Sequence, residues 1–122
     1  MGLTIQEFAN ETGLSTHTLR YYERIGLIAP IERREGGQRL YRETDRTWVV
    51  LLRCLRATGM PIARMIQFAE LCRQNEHNIP DRVQLLEAHE REVREQIAQL
   101  QESLVVVRQK LEAYHSLLAK KN

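Results

Sequence analysis

Cysteine is nearly absent from this chain. Cys54 and Cys72 stand 18 positions apart with no CxxC spacing, which excludes a disulfide framework and a zinc finger. In 122 residues no apolar run approaches the ~20 that a membrane span needs. The N-terminus also lacks the basic-then-apolar layout of a secretory leader, so a cytoplasmic protein without membrane contact is expected. The four histidines, at 17, 77, 89 and 115, are scattered. No nucleophile–base pair or phosphate-cradling glycine loop accompanies them, and soft thiolates are nowhere gathered for a metal. No enzyme, no metal site and no cofactor is expected. Lysine is scarce as well: there are three, all toward the C-terminal end.

Arginine is what is plentiful, and it is concentrated. The net charge is only +2, yet residues 33–56 hold seven arginines (33, 34, 39, 42, 46, 53 and 56) against Glu35, Glu43 and Asp45. From residue 61 onward nine basic and nine acidic residues cancel. A zone built only of arginine suits phosphate, because the guanidinium fork can bind two oxygens at once. A plain solvated surface would carry the same charges, so charge alone leaves nucleic acid open.

Local signals divide the chain into short elements. Thr4, with Glu7 three residues on, reads as a capping box that opens a first helix, and Ile5, Phe8 and Ala9 share its inner face. Gly13 and Leu14 make a turn, Ser15 caps a second helix running to about Arg24, and Gly26 stops it. Two short helices joined this way form a helix-turn-helix. In "IERREGGQRLY", Ile31 to Tyr41, two arms flank Gly36-Gly37, the dipeptide a tight hairpin favours, so a wing is expected. Thr44 is expected to cap a third helix with Trp48, Leu51, Leu52 and Leu55 buried. Gly59 ends it, and Pro61 starts a fourth helix that buries Ile62, Met65, Ile66 and Ala69. "RQNEHNIP" reads as a polar loop before the last element, which Pro80 starts.

From Asp81 to about Leu118 there is no proline or glycine. Val93, Ile97, Leu100, Leu104, Val107, Leu111, Tyr114 and Leu118 alternate spacings of four and three, a heptad seam. Such a helix is ~57 Å long, and leaving its seam wet would forfeit ~1.5 kcal/mol or more per side chain. Nothing offers a hinge for folding back, so pairing with a second copy is expected. The fold class is mainly α: a winged helix-turn-helix DNA-binding domain with a two-helix connector over 1–76, then a coiled-coil dimerisation helix over 77–122.

A dimer with two such heads reads two-fold DNA sites, the second helix entering the major groove by its N-terminal end. Thr16, His17, Thr18 and Arg20 are placed for base edges, and Tyr21 and Arg24 for phosphates. Leu19, Tyr22 and Ile25 face the core. "TLRYYERIGLI" followed by "GGQRLY" and "ATGMPI" resembles MerR-type transcriptional regulators over nearly the whole chain. That resemblance implies a homodimer through antiparallel long helices, bound to an inverted repeat in double-stranded promoter DNA. It implies distortion of an over-long spacer for RNA polymerase at the same promoter. It also implies DNA contacts by Arg20, Tyr21, Arg39 and Tyr41, with Arg53, Arg56 or Arg64 on a second wing; Arg34, from the arginine zone, is a further DNA-binding candidate. Cys54, reckoned at the margin of the third helix's core beside Arg53 and Arg56, resembles the sensor cysteine of the branch that responds to thiol-reactive aldehydes. A small buried hydrophobe is its plainer reading, and Cys72 is expected simply to pack. The alternative function is a coiled-coil interaction protein whose basic face meets an acidic partner.

Overall fold

Thr4 begins the first helix as its side chain dictates. Its hydroxyl accepts from the Glu7 N–H at 3.2 Å, and the Glu7 carboxylate accepts from the Thr4 N–H at 2.9 Å. The Thr4 N–H, and after it the Thr4 hydroxyl, hold the Glu7 carboxyl below its ordinary pKa. The computed structural model describes residues 2–29, 40–74 and 76–121. Its elements are α1 (Ile5–Thr12), α2 (Thr16–Arg24), α3 (Glu43–Ala57), α4 (Ile62–Arg73), a single 3-10 turn (Glu76–Asn78) and α5 (Ile79–Lys120). The wing hairpin expected over Ile31–Tyr41 lies outside the described residues except for Leu40 and Tyr41. Among the described residues strand pairing is confined to one antiparallel bridge, Leu3 with Tyr41, closed by hydrogen bonds of 2.8 and 2.7 Å.

The chain divides into two units, 1–82 and 83–122. In the first, the core gathers Phe8 from α1, Leu19 and Tyr22 from α2, Val49, Leu52 and Leu55 from α3, and Met65 and Phe68 from α4. Each fully buried side chain of this size contributes roughly 1.5–3 kcal/mol relative to exposure. Gly13 adopts φ +76° at the end of α1, a left-handed conformation that glycine takes without strain. It lets the chain turn into α2, whose first N–H groups are capped by Ser15.

Three boundaries and two faces differ from the sequence expectations. Helix α3 starts at Glu43 rather than after Thr44, because the Asp45 carboxylate accepts from the Arg42 N–H at 2.8 Å and so closes the first turn earlier. Pro61 stands just before α4 rather than in it, and α5 begins at Ile79, so Pro80 lies inside its first turn. On α3, Val49 is buried while Trp48 and Leu51 are only half-buried. Trp48 stays at the edge because its indole N–H donates to the Leu27 carbonyl at 2.8 Å while its ring stacks on Phe68. On α4, Phe68 joins Met65 and Ala69 in the core, and Ile62 and Ile66 are half-buried.

The polar loop before α5 is held by buried Asn78. Its amide donates to the Leu71 carbonyl and to Gln74 Oε1, at 2.9 and 2.8 Å, and its oxygen accepts from Arg82 Nε at 2.8 Å. Helix α5 spans 42 residues, or ~63 Å at 1.5 Å per residue. Its seam residues Ile97, Leu100, Leu104, Val107, Leu111, Tyr114 and Leu118 are all exposed, Leu100 to 70%, and Val93 is half-buried. No helix among the described residues is long and apolar enough to cross a membrane.

Candidate nucleic-acid interface

Helix α2 is sorted by its own periodicity. Leu19 and Tyr22 go to the core, which turns His17, Arg20, Tyr21 and Arg24 outward as exposed residues and leaves Thr16 and Thr18 half-exposed. The Ser15 hydroxyl accepts from the Thr18 N–H at 3.0 Å and donates to the Thr18 hydroxyl at 2.9 Å. This fixes the first turn of α2, from which Thr16, His17 and Thr18 project. One turn on, the Arg24 guanidinium lies 5.7 Å from the centre of the Tyr21 ring, a cation–π distance. Tyr21 is 38% exposed. Buried Tyr22 has its phenol pKa raised by loss of solvent, with the Arg56 charge opposing.

Arginines of α3 border this face. The Arg53 guanidinium reaches Gly13, with Cζ and Nη1 each 3.1 Å from the point a Cβ there would occupy. A cation is thereby set against the turn of the helix-turn-helix. Arg56 folds back instead, its Nη1 3.4 Å from the Met60 carbonyl. Arg64 is half-buried on α4. Arg34 and Arg39 lie outside the described residues.

Tyr41 requires a correction. The RLY resemblance placed it at the DNA, but its side chain is fully buried and stacked on Phe8, with ring centroids 4.3 Å apart. The bridge to Leu3 fixes its backbone with the ring packed inward on Phe8, so the Tyr41 ring belongs to the core and is not presented to phosphate. Cys54 is corrected in the other direction: it is exposed, outside the core margin, while Val49, Leu52 and Leu55 form the inner face. Cys72 is half-buried on a cleft of about 230 Å³ lined also by Leu27, Asp45, Trp48 and Arg73. Loss of solvent raises its thiol pKa, with Arg82 and Arg73 opposing. Among the described residues no three of His, Cys, Asp and Glu gather as a metal set.

Two contacts that shape this face carried no sequence signal. They are the Arg53 approach to Gly13 and the Leu3–Tyr41 bridge, both made between residues distant along the chain.

Comparison with known proteins bears on what such a face meets. The signature of the MerR family regulatory protein matches residues 4–41, and that of the MerR DNA-binding region matches residues 46–114. The chain is 34% identical over 119 residues to an HTH-type transcriptional regulator of Haemophilus influenzae, covering 98% of this chain and 88% of that protein. It is 36% identical over 84 residues to the transcriptional regulator AdhR of Bacillus subtilis, covering 69% of this chain and 60% of AdhR. The crystal structure of HiNmlR, a MerR family regulator lacking the sensor domain and bound to promoter DNA, matches with a TM-score of 0.88 at 34% identity. That match covers 98% of this chain and 94% of HiNmlR.

Proposed function

The chain belongs to the MerR family of DNA-binding transcriptional regulators, and we propose that it acts as a homodimer that reads an inverted repeat within a promoter. The observation that carries this reading is the sorting of α2. Core packing of Leu19 and Tyr22 leaves His17, Arg20, Tyr21 and Arg24 on one outer face. A protruding helix with arginine and short polar residues on its first turns matches the chemistry of base edges flanked by phosphates. Arg53, extended to Gly13, is the α3 arginine we assign to a phosphate, in preference to Arg56, which is turned to a carbonyl of its own loop. Arg34 and Arg39, which lie outside the described residues, are assigned to phosphates as well.

The dimer forms through antiparallel α5 helices, whose exposed seam is otherwise unexplained. Activation follows from the two heads bending and untwisting an over-long promoter spacer so that RNA polymerase engages both promoter elements. DNA deformation of this kind costs several kcal/mol, which contacts from two heads can offset. The signal is a thiol-reactive aldehyde acting at Cys54. Two observations support this: the thiol is exposed beside Arg53, and part of the chain is similar to AdhR.

Selection from a random duplex library, followed by salt titration, tests the reading. Enrichment of an inverted repeat, with affinity falling steeply as salt rises, supports it. Equal binding of all duplexes would leave instead a basic face for an acidic partner. Transcription from the selected promoter tests activation: shortening the spacer to the length polymerase prefers should make the protein unnecessary.

A further inference from the structure

The apolar seam of α5 continues upstream of Val93 through Val83 and Leu86, with one interruption. Val83 is exposed and Leu86 half-buried, and at the next seam position stands Glu90, exposed, with its carboxylate 3.7 Å from the Arg94 guanidinium. A parallel pair of helices would set Glu90 against the partner's Glu90 inside the interface, which is strongly unfavourable. An antiparallel pair separates the two carboxylates.

The apolar layers of an antiparallel pair match equally well in registers that differ by whole heptads. Leu86 can lie opposite the partner's Leu104, the partner's Leu111 or the partner's Leu118. Registers beyond these three leave Leu86 or Leu111 with no opposite residue on α5, because the helix runs only from Ile79 to Lys120. The charges beside the seam then decide, since flanking residues face one another across a coiled coil. Opposite Leu104, Arg94 faces the partner's Arg94. Opposite Leu118, Arg94 faces the partner's Arg108, and two-fold symmetry makes this clash twice. Opposite Leu111, Glu87 faces the partner's Arg108 twice, and Arg94 faces the partner's Gln101. Lys110 then lies on the side of the partner's His89, which is buried in the single chain with its Nδ1 4.0 Å from Glu92.

We propose that two copies of α5 pair antiparallel with Leu86 opposite the partner's Leu111, in a register selected by reciprocal Glu87–Arg108 ion pairs. The inference rests on the dimer reading above and deepens it, naming the layers and the charges that set them. Glu87 and Arg108 are both exposed in the single chain, so each is accessible to a partner.

Two measurements on the full-length protein test it. Glu87→Arg and Arg108→Glu each place like charges at both pairs and weaken the homodimer. Mixed together, the two variants should form heterodimers about tenfold beyond the statistical share, because both pairs are then attractive. The preference should fade in high salt. A statistical mixture would overturn the assignment of the pairs. In a Cys54→Ala, Cys72→Ala background, Leu86→Cys combined with Leu111→Cys should give a disulfide-linked dimer on mild oxidation. Leu86→Cys combined with Leu104→Cys, or with Leu118→Cys, should not. Cross-linking through either of those pairs would overturn the register and leave the antiparallel dimer standing. A monomeric wild-type protein by sedimentation would overturn both.

Discussion

Arg20, Tyr21 and Arg24 share one helix face but meet different chemistry. Arg20 is exposed without such a contact, whereas Tyr21 and Arg24 are tied to each other at 5.7 Å and form one edge, which the proposed function gives to phosphate. Arg20→Ala should therefore lower operator affinity and relax the preferred sequence, at about 1–3 kcal/mol for a bidentate base contact. Uniform weakening on all duplexes would make Arg20 a phosphate clamp only. The two thiols separate by environment as well. Cys72 is half-buried with its pKa raised by loss of solvent, so less of it is thiolate at neutral pH and an electrophile reaches that form slowly. Mass spectrometry after brief aldehyde or iodoacetamide treatment at neutral pH should find Cys54 modified first. Cys54→Ala should bind the operator normally and lose aldehyde induction, while Cys72→Ala keeps both. Normal induction in the Cys54 variant would end the thiol reading. Because Cys54 is exposed, an adduct there changes the surface beside Arg53 without overpacking the core.

Among the elements, those that the sequence made legible were set by neighbours within a few residues. The Thr4–Glu7 box, the Ser15 cap and the turn at Gly13 all close locally, so residue types at fixed spacing are enough to read them. The start of α3 differs from the expected one because the Asp45 carboxylate closes the first turn back onto the Arg42 N–H, so the helix begins one residue ahead of Thr44. Tyr41 was misread because its fate depends on Phe8 and Leu3, far off in sequence. The same contrast sets an expectation for the turn itself. Gly13→Ala forces a side chain into φ +76° and pushes it against the Arg53 guanidinium. The change should destabilise the fold by roughly 1–2 kcal/mol, while Arg53→Ala should flatten the salt dependence of DNA binding by about one counterion. Thermal denaturation reads the first effect and salt-titrated binding the second. An unchanged salt slope would remove Arg53 from the phosphate contacts. The capping box supplies a pH signature. Glu7 has a depressed pKa in the folded state, so its contribution is present above the ordinary carboxylate pKa and is lost as pH falls through the lower folded value. Thr4→Ala should cost about 1 kcal/mol and, by removing the hydroxyl while keeping the backbone N–H, return the Glu7 titration only part of the way to the ordinary value in NMR.

For the whole molecule, one head presents one recognition helix, and a single half-site supplies too few contacts for specific binding at physiological salt. On the proposed dimer, operator binding therefore depends on α5 holding two heads at once. In the single chain Leu104 is 45% exposed and lies near the middle of the seam, so a glutamate there should leave the folding of the first unit untouched. In the paired helices the same carboxylate would be buried in an apolar layer, twice by symmetry, at a cost of several kcal/mol. Leu104→Glu should consequently sediment as a monomer, keep the thermal transition of the first unit, and lose operator binding while retaining weak, salt-sensitive affinity for any duplex. Loss of the thermal transition would mean that the head folds only when paired. A stable dimer that still binds the operator would place the interface elsewhere than the α5 seam.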